Sequence, residues 1–263
     1  MHRRGVESGC TSSKPSIALL AAAACLAAAG AGGVGARTPS PARAVERFLR
    51  LGSPIYCGGL RTHYVALTFD DGPGPYTRLA LRILRRAHAE ATFFVVGKEL
   101  RRWPGALAQE ARVAAIGDHS WSHPDLLFLS NVAVAEELGS TLATVDRDTH
   151  VRVRLFRPPY GATDARIARD AARLGLLEVI WSVDTRDSEG ANFAQIAANV
   201  RRFVRGGSIV LMHENRGQTI EALKFRILPY LRAHRFVAVT VPQLLALDPP
   251  TLAQLHDGEA GCG

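Results

Sequence analysis

The chain has 263 residues, 47% of them hydrophobic, enough for one large domain with a buried core and too apolar for a disordered chain. Net charge is +8, and all but Lys14, Lys98 and Lys224 of the 32 basic residues are Arg. No basic run is interleaved with aromatics, so no nucleic-acid partner is expected, and the charge reads as a solvated surface open to an anionic partner such as a cell wall.

Taken in chain order, Arg3, Arg4 and Lys14 precede an apolar stretch at 17–29 (IALLAAAACLAAA), and Val34-Gly35-Ala36 offers small residues for cleavage. Residues 1–36 therefore read as an export signal, and the protein as secreted or held at the cell surface. A buried Ala-rich helix is the structural alternative. The stretch is too short and too Ala-rich for a stable membrane span. Lipid attachment at Cys25 is a secondary option. Residues 30–44 have linker composition, so 37–60 is assigned to a linker and N-terminal extension, with the folded domain starting near Val45 or later. Once the signal is removed, only Cys57 and Cys262 remain. Barrel ends lie close together and export tolerates disulfides, so these two are expected to pair.

From Tyr64 the chain alternates short apolar runs with amphipathic stretches. Strands are expected at 64–69, 91–96, 113–116, 154–156, 178–183, 208–212 and 236–240. Helices are expected at 76–89, 99–111, 131–146, 164–174, 193–204 and 220–231, the last kinked or restarted at Pro229, with a short one at 242–247 opened by its proline. Residues 61–248 then form one domain and 249–263 a C-terminal tail. About seven βα units imply a parallel sheet with helices outside it, an α/β fold. Seven or eight units close most naturally into a distorted TIM-like barrel; an open doubly wound sheet is the alternative. The chain has no Gly-x-Gly-x-x-Gly after a strand and no Gly-Lys-Ser/Thr loop, so nucleotide binding is unsupported.

Polar residues fall where the apolar runs end. Asp70 and Asp71 follow the first strand, and His119 and His123 the third. Arg157 ends the fourth, Asp184 the fifth and His213 the sixth. In a βα barrel all of these reach one rim, where such barrels carry their active sites. Adjacent carboxylates in Thr68-Phe69-Asp70-Asp71-Gly72-Pro73 call for a cation or a shared proton, unless they are solvated groups of an Asp-Gly turn. Two His four residues apart face the same way on a helical turn, as ligation of a metal requires, and Pro124 should stop that turn. Two imidazoles and one carboxylate leave positions open, the pattern of a catalytic rather than a structural site.

Together these residues resemble the polysaccharide deacetylase family, the NodB-homology domain of carbohydrate esterase family 4. Thr68 to Pro73 is similar to its first motif and His119 to His123 to its second. Arg157-Pro158-Pro159-Tyr160, Asp184-Thr185-Arg186-Asp187 and Leu211-Met212-His213 resemble the third, fourth and fifth, and ATFFVVG at 91–97 its usual second strand. The resemblance implies a distorted (β/α) barrel in which Asp71, His119 and His123 hold one divalent ion, most commonly Zn2+ and otherwise Co2+, Ni2+ or Mn2+. It implies Asp70 as general base, His213 as general acid, and the backbone N–H of Tyr160 as oxyanion donor. Arg157 would anchor Asp70, Asp184 would orient His213, and Leu211 would line the acetyl pocket. Two positions depart from the pattern. Ser188 stands where Trp is common, with Trp181 read as core, and Asp118 stands where Asn is common, either adding charge to the ligand shell or simply solvated.

The implied activity is N-deacetylation of an extracellular N-acetylglucosamine polymer of peptidoglycan or chitin type. An O-acetyl esterase acting on xylan-type polymers, an inactive glycan binder and a cytoplasmic amidase of the same superfamily are the alternatives. Nothing in the sequence demands more than a monomer.

Overall fold

The structure, a computed structural model, describes residues 38–263. The export signal expected at 1–36, with Cys25, lies outside the described residues. Helix α1 (Pro41–Leu51) comes first, capped by the Ser40 side chain, started by Pro41 and stopped by left-handed Gly52. Ala44, Val45 and Phe48 on it are buried. The linker assigned to this stretch is therefore corrected: its small and turn-forming residues are the cap, first turn and stop of a helix that belongs to the core.

The βα alternation follows. Strand β1 (Tyr64–Gly72) leads to α2 (Thr77–Arg86), and β2 (Thr92–Val95) to α3 (Gly97–Arg102) and α4 (Ala106–Glu110). The single helix expected over 99–111 is split because Pro104 cannot donate to a helical ladder and Gly105 takes φ +78°. Next come β3 (Ala115–Asp118), α5 (Asn131–Thr149), β4 (Leu155–Phe156) and α6 (Ala165–Arg173). The strand expected at 178–183 is two short pieces, β5 (Leu177–Glu178) and β6 (Val183–Asp184). Then α7 (Phe193–Phe203) precedes β7 (Ile209–His213) and α8 (Gly217–Ala222). A π-helical turn at Leu223–Ile227 joins α8 to α9 (Leu228–Ala233). The break anticipated at Pro229 is thus absorbed one turn earlier, where the wider turn frees the carbonyl that the proline ring would strike. Last are β8 (Val237–Val239), α10 (Val241–Leu247), α11 (Leu252–Asp257) and a 3-10 turn at Gly258–Cys262. The C-terminal tail is therefore structured.

All sheet pairings are parallel, in the order β5-β4-β3-β2-β1-β7-β6 with β8 also on β1. The bent segment carrying β5 and β6 pairs with β4 at its start and β7 at its end, so the sheet curls into a distorted (β/α) barrel. Strand alternation separates two cores. Val65, Leu67, Phe69, Phe93, Val210 and Met212 face the surrounding helices. Ala66, Phe94, Leu155, Val179, Ile209 and Val239 face inward and meet α1 and α10. A disulfide joins Cys57 to Cys262, with a Cα separation of 5.9 Å. Among the described residues no helix is long and apolar enough to cross a membrane.

Candidate active site

Asp70 lies on the inward row of β1 and pairs in register with His213 of β7. The pairing of β1 with β2 shifts between Phe69 and Gly72, and Asp71 within that bulge takes φ +67°. A strand would point the two carboxylates to opposite faces; the bulge re-aims the second and keeps both at the rim. Gly72 is required there because a Cβ would fall 1.4 Å from Glu214 Oε1.

The His119–His123 stretch is not the helical turn that its spacing suggested. Ser120 and His123 take φ +66° and +62°, and it is these two left-handed residues that bring the rings together. Ser120 Oγ accepts from the His123 N–H at 3.0 Å, and Glu137 of α5 accepts from the N–H groups of Trp121 and Ser122 and from Ser122 Oγ at 2.8–3.0 Å. The ring centroids of His119 and His123 are 4.9 Å apart.

Asp71 Oδ1 sits 3.2 Å from His123 Nε2 and 3.7 Å from His119 Nε2. One ligand atom from each of the three lies within 4.8 Å of the others. His119 Nδ1 is 2.7 Å from the carbonyl of Arg157, which can only accept, so Nδ1 carries the proton and Nε2 presents its lone pair. Burial lowers the His119 pKa to about 3 and keeps the ring neutral, as a ligand must be. Two neutral imidazole nitrogens and a carboxylate oxygen around one point fit a divalent ion with open positions. Asp118 is neither a ligand nor solvated. It is fully buried, Oδ1 accepts from the Ser120 N–H at 2.8 Å, and burial raises its pKa well above the ordinary carboxylate value.

Arg157 is fully buried inside the barrel. Its guanidinium donates to Asp70 Oδ1 at 2.8 Å, Thr68 Oγ1 at 2.7 Å, and the carbonyls of Val179 and Ile180 at 3.0 and 2.8 Å. It lies 4.2 Å above the Phe94 ring, which in turn fits only because Gly117 has no side chain. Burial raises the Asp70 pKa and Arg157 opposes it, leaving a carboxylate poised above its ordinary value.

The partner of His213 differs from the one expected. His213 Nδ1 donates to Asp187 Oδ1 at 2.7 Å, while the His213 N–H and Thr219 Oγ1 donate to Asp187 Oδ2 at 2.7 and 2.6 Å. Asp184 instead accepts from the Arg186 N–H. The chain turns through left-handed Arg186 (φ +57°) and carries Asp187 back beneath β7. Burial alone would lower the His213 pKa, but the Asp187 hydrogen bond and charge outweigh it and raise it, while the same contacts hold Asp187 low. The residues that sequence reasoning missed are Asp187, Thr219, Thr68 and Glu137. Asp187 was within reach, since it closes the fourth motif.

Leu211 is buried on the inward row of β7, and Tyr160, in left-handed conformation (φ +62°), is 69% exposed with its ring 4.7 Å from that of His123. Trp181 is half-buried and packs under Gly161, where a Cβ would meet its ring at 2.7 Å. A cleft of about 470 Å³ opens beside Asp71 and His123, walled by Pro73, Val96, Lys98 and Trp103.

A parallel α/β barrel with a two-His, one-Asp cluster able to hold a metal ion and a separate Asp–His pair on one rim has the arrangement of a hydrolase. The chain belongs to the polysaccharide deacetylase family, whose profile matches residues 58–179. The peptidoglycan-N-acetylglucosamine deacetylase of Bacillus cereus is 36% identical over 191 residues, covering 69% of this chain and 87% of that one. PgdA of Listeria monocytogenes, a peptidoglycan-N-acetylglucosamine deacetylase, is 35% identical over 182 residues, 68% of this chain and 38% of that one. Chitin deacetylase 1 of Cryptococcus neoformans is 40% identical over 128 residues, and the matched part is 27% of its length, so these last two relatives are much longer than the part this chain spans. The Bc1960 peptidoglycan N-acetylglucosamine deacetylase superposes with a TM-score of 0.71 at 28% identity, over 75% of this chain and 95% of that one. BA3943 of Bacillus anthracis, a CE4 family pseudoenzyme, superposes at 0.68 and 27% identity, over 76% and 71%.

Proposed function

We propose that this chain removes N-acetyl groups from an N-acetylglucosamine-containing polysaccharide of peptidoglycan or chitin type, outside the cytoplasm and with one divalent ion. The observation that carries the reading is the convergence of Asp71, His119 and His123 beside two differently tuned proton-transfer groups, Asp70 and His213. The BA3943 pseudoenzyme shares the fold, so the fold alone does not secure an activity. A pure glycan binder, however, has no use for a base and an acid.

Asp71, His119 and His123 hold the ion, with zinc favoured by the nitrogen-rich donor set and Co2+, Ni2+ or Mn2+ as alternatives. When bound, the ion acidifies water and polarises the acetyl carbonyl. Asp70, fixed by Arg157, takes the proton of the attacking water. His213, its Nδ1 held by Asp187, gives the Nε2 proton to the departing amine, which is a poor leaving group until protonated. The Tyr160 N–H donates to the developing oxyanion, and Leu211 packs on the acetyl methyl. Asp184 takes no direct part. The cleft beside Trp103 and Lys98 receives neighbouring sugars of the chain.

The test is acetate release from peptidoglycan, chitin oligomers and acetylated xylan, with and without chelator. Chelator-sensitive release from an N-acetylated polymer supports the reading. Release from xylan alone favours the esterase, and no release from any polymer by folded, metal-loaded protein favours the binder.

A further inference from the structure

On the opposite side of the barrel from the catalytic rim lies a groove of about 1140 Å³. The turn after α2 and the turn before β8 form its two sides, so it opens at the amino ends of the parallel strands. Its floor is apolar, made by Ile83, Leu228, Phe236 and Val237, and Val237 is 48% exposed. Arg86, Lys224, Arg232 and Arg235 line it, all exposed, and no acidic side chain does. Among the described residues none of these four cations forms an ion pair, which is equally true of Arg43, Arg47, Arg112 and Arg152 elsewhere; what sets the groove apart is that its cations surround an apolar floor with no acidic side chain.

Unpaired cations around an apolar floor complement an amphiphile with an anionic head. A polyanion without an apolar part would leave Val237 and Leu228 unused, and a neutral apolar partner would leave four charges uncompensated at the edge of the contact. We propose that this groove seats the surface of an anionic phospholipid bilayer, with headgroup phosphates on the four cations and acyl carbon against the floor. The barrel then lies with its amino-end face on the membrane and its catalytic rim turned away. This placement depends on the groove alone and holds whatever reaction the rim performs.

The experiment is co-sedimentation of the full chain with vesicles of phosphatidylglycerol and phosphatidylcholine, and of phosphatidylcholine alone, at about 0.15 M salt. The unaltered chain is expected to bind only the anionic vesicles. Reversing the groove charges together (R86E, K224E, R232E and R235E) is expected to weaken that binding by at least about tenfold. Reversing four exposed arginines elsewhere (R43E, R47E, R112E and R152E) changes net charge equally and is expected to weaken it by less than about twofold. Val237→Ser should weaken it without changing charge. Thermal melts followed by circular dichroism verify that each variant is folded. Equal losses in the two charge-reversed variants, unchanged binding in the groove variant, or no binding by the unaltered chain would each overturn the proposal.

Discussion

Single residues here are fixed by what they must satisfy. Arg157 puts a full charge inside a barrel, which is tolerable because a carboxylate, a hydroxyl and two carbonyls take its donors. Replacing it with Met leaves Asp70 buried and unpaired, so Arg157→Met should cost about 3–5 kcal/mol in denaturant unfolding. A loss under about 1 kcal/mol would mean that Asp70 is not charged in the native state. At His213 the pKa is raised, so its protonation adds stability below about pH 6.5, lost as pH rises through the folded value. The same shift favours the protonated imidazole that the proposed general-acid role needs. Asp187→Asn should therefore move the alkaline limb of kcat to lower pH and cut amide cleavage by roughly a hundredfold, with Asp184→Asn leaving that limb in place. An unmoved limb in Asp187→Asn would return the orienting role to another group. Both carboxylates belong to one four-residue motif, and spacing alone does not say which faces the ring. The choice is made by the left-handed turn at Arg186, which no residue type announces.

Elements were legible where their burial pattern was simple. β1 and β7 are buried on both faces and carry near-continuous apolar runs, so they could be read as core strands directly. The His119–His123 stretch was not, because spacing of four suits a helix equally well, and the hydrogen bonds that shape the loop come from Glu137, fourteen residues beyond His123. That carboxylate holds the loop from α5. Glu137→Ala should keep all three ligands yet lower zinc affinity by roughly ten- to a hundredfold in a competitive chelator titration. Affinity unchanged within about twofold would show that the two left-handed residues hold the loop unaided.

At the scale of the whole molecule, the barrel was readable from seven alternations of strand and helix, but its base was not. α1 hid behind a linker-like composition, although Ala44, Val45 and Phe48 trace one buried face. The ends of the described chain meet there: α1 packs on α10, and Cys57 is bonded to Cys262 across 205 residues. A cross-link over a loop that long restricts the unfolded chain by about 5 kcal/mol. The double variant Cys57→Ser/Cys262→Ser should therefore melt roughly 10–20 °C lower while retaining room-temperature activity, since the bridge lies far from the rim. A Tm within about 2 °C of the parent would show that α11 is held by its packing alone.

The ligand triad is tested most directly by following acetate release from an N-acetylglucosamine oligomer while chelator-stripped protein is titrated with zinc. Release should rise to a plateau at one equivalent. Asp70→Asn should bind the same equivalent without turning over, and His123→Ala should lose both binding and turnover. Full activity in stripped protein, or equal zinc loss in the two variants, would contradict the assignment of the cation to Asp71, His119 and His123.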